Sequence, residues 1–180
     1  LRIRSNRIVR ITGMRRLSAT LALGIIFSAT SGFTLEMEYR ADDWWKTSDH
    51  SGDDVSVQLK VSVPDNQDDQ MIVSIGIPRD ISLAVLQYLE RQKLSHLPVL
   101  NIAYLEPIVS ARQANSVIAS IKTELLEALS RTGAQKIHLF CAMPAFMALL
   151  LGHRLNATAT MQCYEFISSN LYVPTCVLNT

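Results

Sequence analysis

Short segments in which apolar and polar residues alternate, or in which apolar residues follow one another without a break, recur along the whole chain. Alternation at a period of two predicts a strand with one covered face, and an unbroken apolar run predicts a strand covered on both faces. The predicted strands are 7–12, 33–39, 55–63, 71–77, 98–104, 136–142, 160–166 and 172–178.

Between most of these strands, apolar residues recur three and four positions apart, a spacing that places them on one side of a helix. Gly32 and Gly133 follow two of these segments and Pro144 begins another, in keeping with the preferences of helix ends. Because strands alternate with helices, the sequence predicts an α/β fold with an open, mostly parallel sheet. The predicted helices are 15–30, 81–94, 110–131 and 144–155.

The stretch from residue 41 to residue 54 breaks this pattern. It is rich in aspartate and carries Trp44 and Trp45. We interpret it as a solvated acidic loop and as the boundary between two lobes, residues 1–52 and residues 53–180. The first lobe would then be partial, with one β-α-β unit and two strands, and the second lobe would hold the other strands.

Composition narrows the class of protein. A chain of 180 residues with 48% apolar and 18% charged residues favours a globular domain, and a net charge of +1 gives no general reason to bind long nucleic acid. Three cysteines without a CxxC pair predict buried, reduced thiols of a cytoplasmic protein. The apolar run 17–29 follows two arginines as in a secretion signal, but a predicted strand leads into it, so we interpret it as a buried helix.

Candidate chemistry comes from the topology. In an open α/β sheet the ligand crevice lies beyond the carboxyl ends of the strands. Guanidinium groups bind phosphates and indole rings offer stacking faces, so arginines together with Trp44 and Trp45 suit a small ligand with phosphates and bases. A structural plug at the lobe boundary is the alternative for the two tryptophans. The segments that directly follow predicted strands are 13–16, 40–46, 76–79, 142–144 and 165–166.

Catalytic chemistry has little support in the sequence. These segments hold no nucleophile next to a base, and the chain contains no GxSxG, HExxH, Walker or GxGxxG motif. The four histidines are scattered, and no set of histidines and cysteines has the spacing of a zinc site. We therefore predict neither catalytic nor metal-binding residues.

Several blocks of sequence carry a family resemblance. The second half reads IHLFCAMPA at 137–145, LGHRLNA at 151–157, QCYE at 162–165 and YVPT at 172–175. Shorter blocks are RRLSA at 15–19, GF at 32–33, IVSIGI at 72–77, RDI at 79–81, QAN at 113–115 and IK at 121–122, with Trp45, Thr47 and His50. In this order they resemble the SAVED domain, the nucleotide sensor of bacterial CBASS anti-phage effectors and of some CRISPR-linked effectors.

The resemblance implies two fused CARF-like, Rossmann-like lobes around one crevice. It further implies that a cyclic nucleotide made by a partner synthase binds there and drives self-association, which activates a fused effector. The most similar fusions place an HNH nuclease before the sensor. Because this chain begins at Leu1 without methionine and shows no effector motif, we expect an excised sensor. The expected ligand is a cyclic dinucleotide of the cyclic GMP–AMP type or a cyclic trinucleotide, with no other cofactor.

On this resemblance we assign ligand-binding roles to residues of the predicted crevice. Expected near phosphates or bases are Arg15, Arg16, Lys46 and Arg79, and expected to stack are Trp44, Trp45 and Tyr164. The expected wall of the cleft is Phe140, Ala142, Met143 and Pro144, with Pro78 beside Arg79. Two other functions stay open at this point, namely an enzyme that degrades its own cyclic ligand and a structural module that only oligomerises.

Overall fold

A computed structural model describes residues 7–13, 15–40, 43–49, 57–156, 158–168 and 171–179. The strands are β1 (Arg7–Ile11), β2 (Phe33–Arg40), β3 (Asp43–Lys46), β4 (Lys60–Ser62), β5 (Gln70–Gly76), β6 (Val99–Ala103), β7 (Lys136–Ala142), β8 (Thr160–Ser168) and β9 (Leu171–Leu178). The helices are α1 (Leu17–Ile26), α2 (Ser82–Gln92), α3 (Ala111–Thr132) and α4 (Ala145–Arg154). No helix in these ranges is long and apolar enough to cross a membrane.

The larger sheet has six strands in the order β4-β6-β5-β7-β8-β9. Its four inner strands run parallel, and β4 and β9 pair antiparallel at the two edges. Residues 71–77 are buried throughout, as the unbroken apolar run predicted. Gly76 pairs with Ala142, so the carboxyl ends of β5 and β7 lie side by side.

The smaller sheet has three strands in the order β1-β2-β3. β1 and β2 are parallel, and β3 returns antiparallel to β2. The prediction of a loop was wrong for Asp43–Lys46, because Trp45 packs inward against Tyr39 and its burial holds this segment in the sheet. Residues 41–42 and 50–56, which include the predicted lobe boundary, lie outside the described residues, so that boundary stays a prediction.

Helix bounds agree with the predictions for α2, α3 and α4 to within two residues. The long first helix was wrong at its end, because α1 stops at Ile26 and a short 3-10 turn follows at Ala29–Ser31. The Ser28 hydroxyl bonds to the hydroxyls of Thr30 and Ser31, and such local bonds compete with a continuous helix. The predicted strand 55–63 was too long, because within residues 57–63 only Lys60–Ser62 pairs as β4, and residues 55–56 are outside the described ranges.

The structure contains an internal repeat. The unit β1-α1-β2-β3 and the unit β7-α4-β8-β9 share the same order and the same strand directions. Gly24 in LSATLALGII and Gly152 in AFMALLLGHR hold the same place in their helices. A Cβ on Gly24 would clash with the Leu149 carbonyl oxygen, and one on Gly152 would clash with that of Leu21. The contact between α1 and α4 is therefore reciprocal, and one hydrophobic cluster joins both sheets.

Candidate functional site

A cleft of about 370 Å³ opens where the carboxyl ends of β5, β7 and β8 meet the start of α1. This is the edge at which an open α/β sheet binds its ligands. The cleft is lined by Leu17, Ile77, Pro78, Arg79, Cys141, Ala142, Met143, Pro144, Glu165 and Phe166. The structure thus brings together five of the residues that the sequence predicted for the ligand, Pro78, Arg79, Ala142, Met143 and Pro144.

The loop after β5 presents Arg79 to the cleft. The Ile77 N–H donates to the Ala142 carbonyl oxygen at 2.7 Å, which ties this loop to the end of β7. The chain then folds back so tightly that a Cβ on Gly76 would clash with the Arg79 carbonyl oxygen. Beyond Arg79, the Asp80 carboxylate accepts from the Ser82 N–H at 2.8 Å, so the loop is held on both sides of Arg79.

The charge of Arg79 is available for a ligand. Its side chain is exposed, and within the described residues it forms no ion pair with a carboxylate. It lies close enough to Tyr172 to oppose the rise that burial causes in the pKa of that phenol. Asp80, the nearest acid in sequence, is instead paired with Lys60 at 3.1 Å.

The opposite wall comes from β7, β8 and α1. Burial raises the pKa of the Cys141 and Cys163 thiols, which are therefore uncharged near neutral pH. All three cysteines are free, with Cys163 buried and Cys141 and Cys176 half-buried. Glu165 at the end of β8 accepts a hydrogen bond from the Ser18 N–H at 2.8 Å and so joins this wall to α1.

Phe140 and Tyr164 lie behind this wall. Phe140 is completely buried, which corrects its assignment to the wall, since it packs under α2 and reaches no cleft surface. The Tyr164 ring stacks on Phe140 with centroids 4.3 Å apart, and its hydroxyl is 2.9 Å from His138 Nδ1. Tyr164 borders a narrow apolar extension of about 10 Å³ next to the cleft, so one face of its ring is already occupied.

Arg15 and Arg16 stand beside the cleft in sequence, just before Leu17. Arg16 is exposed at the cap of α1, and Arg15 donates a hydrogen bond to the Thr12 carbonyl oxygen. Neither of them lines the cleft, and Met14 lies outside the described residues.

The structure places Trp44, Trp45 and Lys46 elsewhere. They belong to β3 of the smaller sheet, and the two tryptophans line a separate depression of about 470 Å³ next to the start of α3. Sequence adjacency to a strand end misled the prediction, because β2 and β3 end in a different sheet from β5 and β7.

Each of these three side chains already has partners. The Trp45 ring is stacked on Tyr39 at 3.7 Å and meets the edge of Phe146, which removes it from the stacking candidates. The Arg10 guanidinium lies 5.5 Å from the ring centre of half-buried Trp44. Lys46 Nζ pairs with the buried Glu36 carboxylate at 3.1 Å, and hydrogen bonds from Arg10 and Lys46 lower the pKa of Glu36.

Half of the cleft lining had no individual ligand role assigned from the sequence, namely Leu17, Ile77, Cys141, Glu165 and Phe166. Ile77, Glu165 and Phe166 did lie in the segments 76–79 and 165–166 at the ends of predicted strands, which was the available signal. Within the described part of the chain, no group of histidine, cysteine, aspartate and glutamate side chains is arranged to hold a metal ion.

Comparison with known proteins gives the family. The sequence model of the SMODS-associated and fused to various effectors sensor domain, SAVED, matches residues 1–178. The CD-NTase-associated proteins 4 of Acinetobacter sp. (strain ATCC 27244 / 9458) and Moraxella osloensis are 32% and 30% identical to this chain. Each alignment covers 96% of this chain and 37% of the relative, so the chain spans little more than a third of their length.

Solved structures agree. The Acinetobacter baumannii Cap4 SAVED/CARF-domain containing receptor with the cyclic trinucleotide 2'3'3'-cAAA is 30% identical, with a TM-score of 0.87 over 97% of this chain and 39% of that one. The complex of that receptor with 3'3'3'-cAAA gives 0.84 over the same shares. The Moraxella osloensis receptor gives 0.78 at 30% identity, over 96% of this chain and 37% of that one. These similarities confirm the predicted α/β, CARF-like fold, and this chain belongs to the SAVED family of sensor domains.

Proposed function

We propose that this chain is a cytoplasmic receptor domain for a cyclic trinucleotide, which binds in the cleft at the carboxyl ends of β5, β7 and β8. The observation that carries the proposal is the exposed guanidinium of Arg79 at this edge of the sheet, in a chain of the SAVED family. Among the described residues, no carboxylate pairs with it. The relative from Acinetobacter baumannii holds cyclic trinucleotides, which favours this ligand class over a cyclic dinucleotide.

The lining of the cleft suits the parts of such a ligand. A guanidinium binds a phosphodiester through charge-assisted hydrogen bonds and can do so with two parallel donors. Arg79 is in place for this contact, and Arg15 and Arg16 stand near the rim, where further phosphates would lie. The apolar side chains of Leu17, Met143 and Phe166 offer surface for the bases.

The size of the cleft leaves part of the ligand uncovered. A volume of about 370 Å³ is near the lower end of ligand pockets, which hold drug-sized molecules in roughly 300–1,000 Å³. A cyclic trinucleotide is larger than most such molecules and would extend past the rim. A neighbouring copy of the chain can therefore contact protein and ligand together, which would link binding to head-to-tail self-association.

The wider role follows from the family. In this proposal a partner synthase makes the cyclic nucleotide during phage infection, and the assembled sensors activate a fused effector. The effector, which the resemblance suggests to be an HNH nuclease, belongs to this proposal as well. Acidic Asp43 and Asp49 and basic Arg15 and Arg16 offer complementary charge for contacts between copies.

A thermal-shift panel tests the binding step. We expect 3'3'3'-cAAA or 2'3'3'-cAAA at a hundred times its Kd to stabilise the domain by about 2.7 kcal/mol, a rise in Tm of roughly 5–10 °C. Linear ApApA and cyclic GMP–AMP serve as matched controls with smaller shifts. Chromatography of the recovered ligand should show the intact ring, whereas a ring-opened product would favour the degrading enzyme. Unchanged Tm with every cyclic nucleotide would contradict the proposal.

Light scattering tests the assembly step. Without ligand, we expect one mass across a tenfold range of protein concentration. With saturating cyclic triadenylate, the mean mass should rise and should increase with concentration, because a head-to-tail contact that does not close into a ring can add further copies. A constant mass in the presence of bound ligand would separate binding from self-association and would assign assembly to other parts of the full-length protein.

A further inference from the structure

The cleft proposed for an anionic ligand contains a carboxylate. Glu165 and Arg79 are the charged residues that line it, and they do not form an ion pair with each other. Phosphates would be repelled by Glu165, so its presence requires a different explanation from that of Arg79. Any contact of Glu165 with the ligand rests on the proposed function.

The position of the Glu165 carboxylate is set by one hydrogen bond. Its Oε1 accepts from the Ser18 N–H, one of the first N–H groups of α1, which have no partner within the helix. α1 has no acidic residue in its first turn and no side-chain cap, so Glu165 supplies this acceptor from β8. Within the described residues, Oε2 has no hydrogen-bond donor and is left for a ligand.

The surroundings of Glu165 select which part of a nucleotide it meets. An ionised carboxylate accepts hydrogen bonds and does not donate. A cyclic nucleotide offers two kinds of donor, the hydroxyl groups of its riboses and the amino groups of its bases. Leu17, Cys141 and Phe166 line the same cleft with apolar surface that suits a flat base, whereas a ribose lies beside the phosphates and hence nearer Arg79.

We infer that Glu165 Oε2 accepts a hydrogen bond from the exocyclic amino group of one base, and that this contact makes the cleft selective for amino-bearing bases such as adenine. Arg79 and Glu165 then divide the cleft into a phosphate side and a base side. A site with a fixed polar group discriminates strongly against a ligand that lacks the matching donor, because the protein group is left unpaired.

A variant with one changed group provides the test. In Glu165→Gln, the amide oxygen can keep the hydrogen bond from the Ser18 N–H. The amide NH₂ group then takes the place of Oε2, so a donor faces the ligand where the wild type has an acceptor. The fold should be retained, because the variant preserves this capping contact. Glu38→Gln is the matched control, since Glu38 is exposed on β2 and does not line the cleft.

Calorimetry with two ligands measures how strongly each variant prefers the amino-bearing base. The first is 3'3'3'-cAAA, and the second is the same ring built from purine riboside, which lacks the amino groups. We expect the wild type and Glu38→Gln to prefer the adenine ring by about ten- to a hundredfold, the value of one hydrogen bond to a charged group. In Glu165→Gln this preference should fall at least tenfold, and contacts made by the other two bases cancel in the comparison.

Other outcomes overturn the inference. If Glu165→Gln keeps the full preference, the amino group is recognised by other residues. If the preference is unchanged but the penalty for cyclic tri-2′-deoxyadenylate disappears in Glu165→Gln, the carboxylate contacts a ribose. Absence of any binding of 3'3'3'-cAAA to the wild type would overturn the proposed function as well, which separates that failure from a failure of the Glu165 assignment alone.

Discussion

Replacing Gly152 with alanine is expected to lower the free energy of unfolding by about 3 kcal/mol, in the upper range for overpacked cores. The new Cβ would clash with the Leu21 carbonyl oxygen and lie 3.2 Å from the Ile25 nitrogen, so α1 and α4 must move apart. Backbone atoms cannot turn aside as a side chain can. The gain of about 1 kcal/mol that alanine brings to a helix is too small to compensate. Thermal unfolding should show a Tm lower by roughly 6–12 °C.

Gly133→Ala is the matched control for this variant. Gly133 has a positive φ of 75°, and a Cβ there meets nothing within 4 Å. Its cost is therefore limited to the left-handed backbone, about 1 kcal/mol. The double variant Gly24→Ala/Gly152→Ala should cost less than the sum of its parts, because a single separation of the helices relieves both clashes. Equal Tm values for Gly152→Ala and the wild type would show that α1 and α4 are not in this contact.

Arg79→Ala is expected to weaken the binding of cyclic triadenylate about ten- to a hundredfold, because one charge-assisted contact contributes roughly 1.5–3 kcal/mol. The domain should stay folded, since Arg79 is exposed and its loop is held by Ile77 and Asp80. Calorimetry at two salt concentrations gives the measurement. The loss should be smaller in high salt, because screening already weakens the contact in the wild type.

The matched control for Arg79→Ala is Arg91→Ala. Arg79 lies just before α2, whereas Arg91 lies in the last turn of α2, at the end away from the cleft. The two variants remove the same charge from the chain. If both weaken binding equally, the effect is one of overall charge, and Arg79 has no direct contact with a phosphate.

Much of the fold could be predicted from local pattern. β5 is buried on both faces and therefore reads as an unbroken apolar run, and α3 has a serine cap, an apolar stripe and a terminal glycine. β3 could not be predicted in the same way. Its inward side chain, Trp45, is stabilised by Tyr39 from β2 and Phe146 from α4, and the flanking acidic residues give the opposite local signal.

The site shows the same division between local and long-range information. The rule for open sheets predicted that Pro78, Arg79 and residues 142–144 line one cleft, and they do so because β5 and β7 are neighbours in the sheet and end side by side there. It failed for residues 44–46, since it cannot tell which strands belong to which sheet. The position of the Glu165 carboxylate depends on the N–H of Ser18, a residue 147 positions away, and no spacing in the sequence reports such a pair.

The reciprocal glycine contact between α1 and α4 restricts how the cleft can close. Helices whose backbones touch cannot slide or rotate past each other without a clash. Leu17 at the start of α1 and Pro144 before α4 therefore belong to one rigid wall of the cleft. The other wall is the segment 77–80, which is anchored by hydrogen bonds at its two ends and exposed between them. Closure around a ligand should therefore be a hinge motion of this short segment, and the N–H groups of Arg79 and Asp80 should exchange more slowly with ligand than without it.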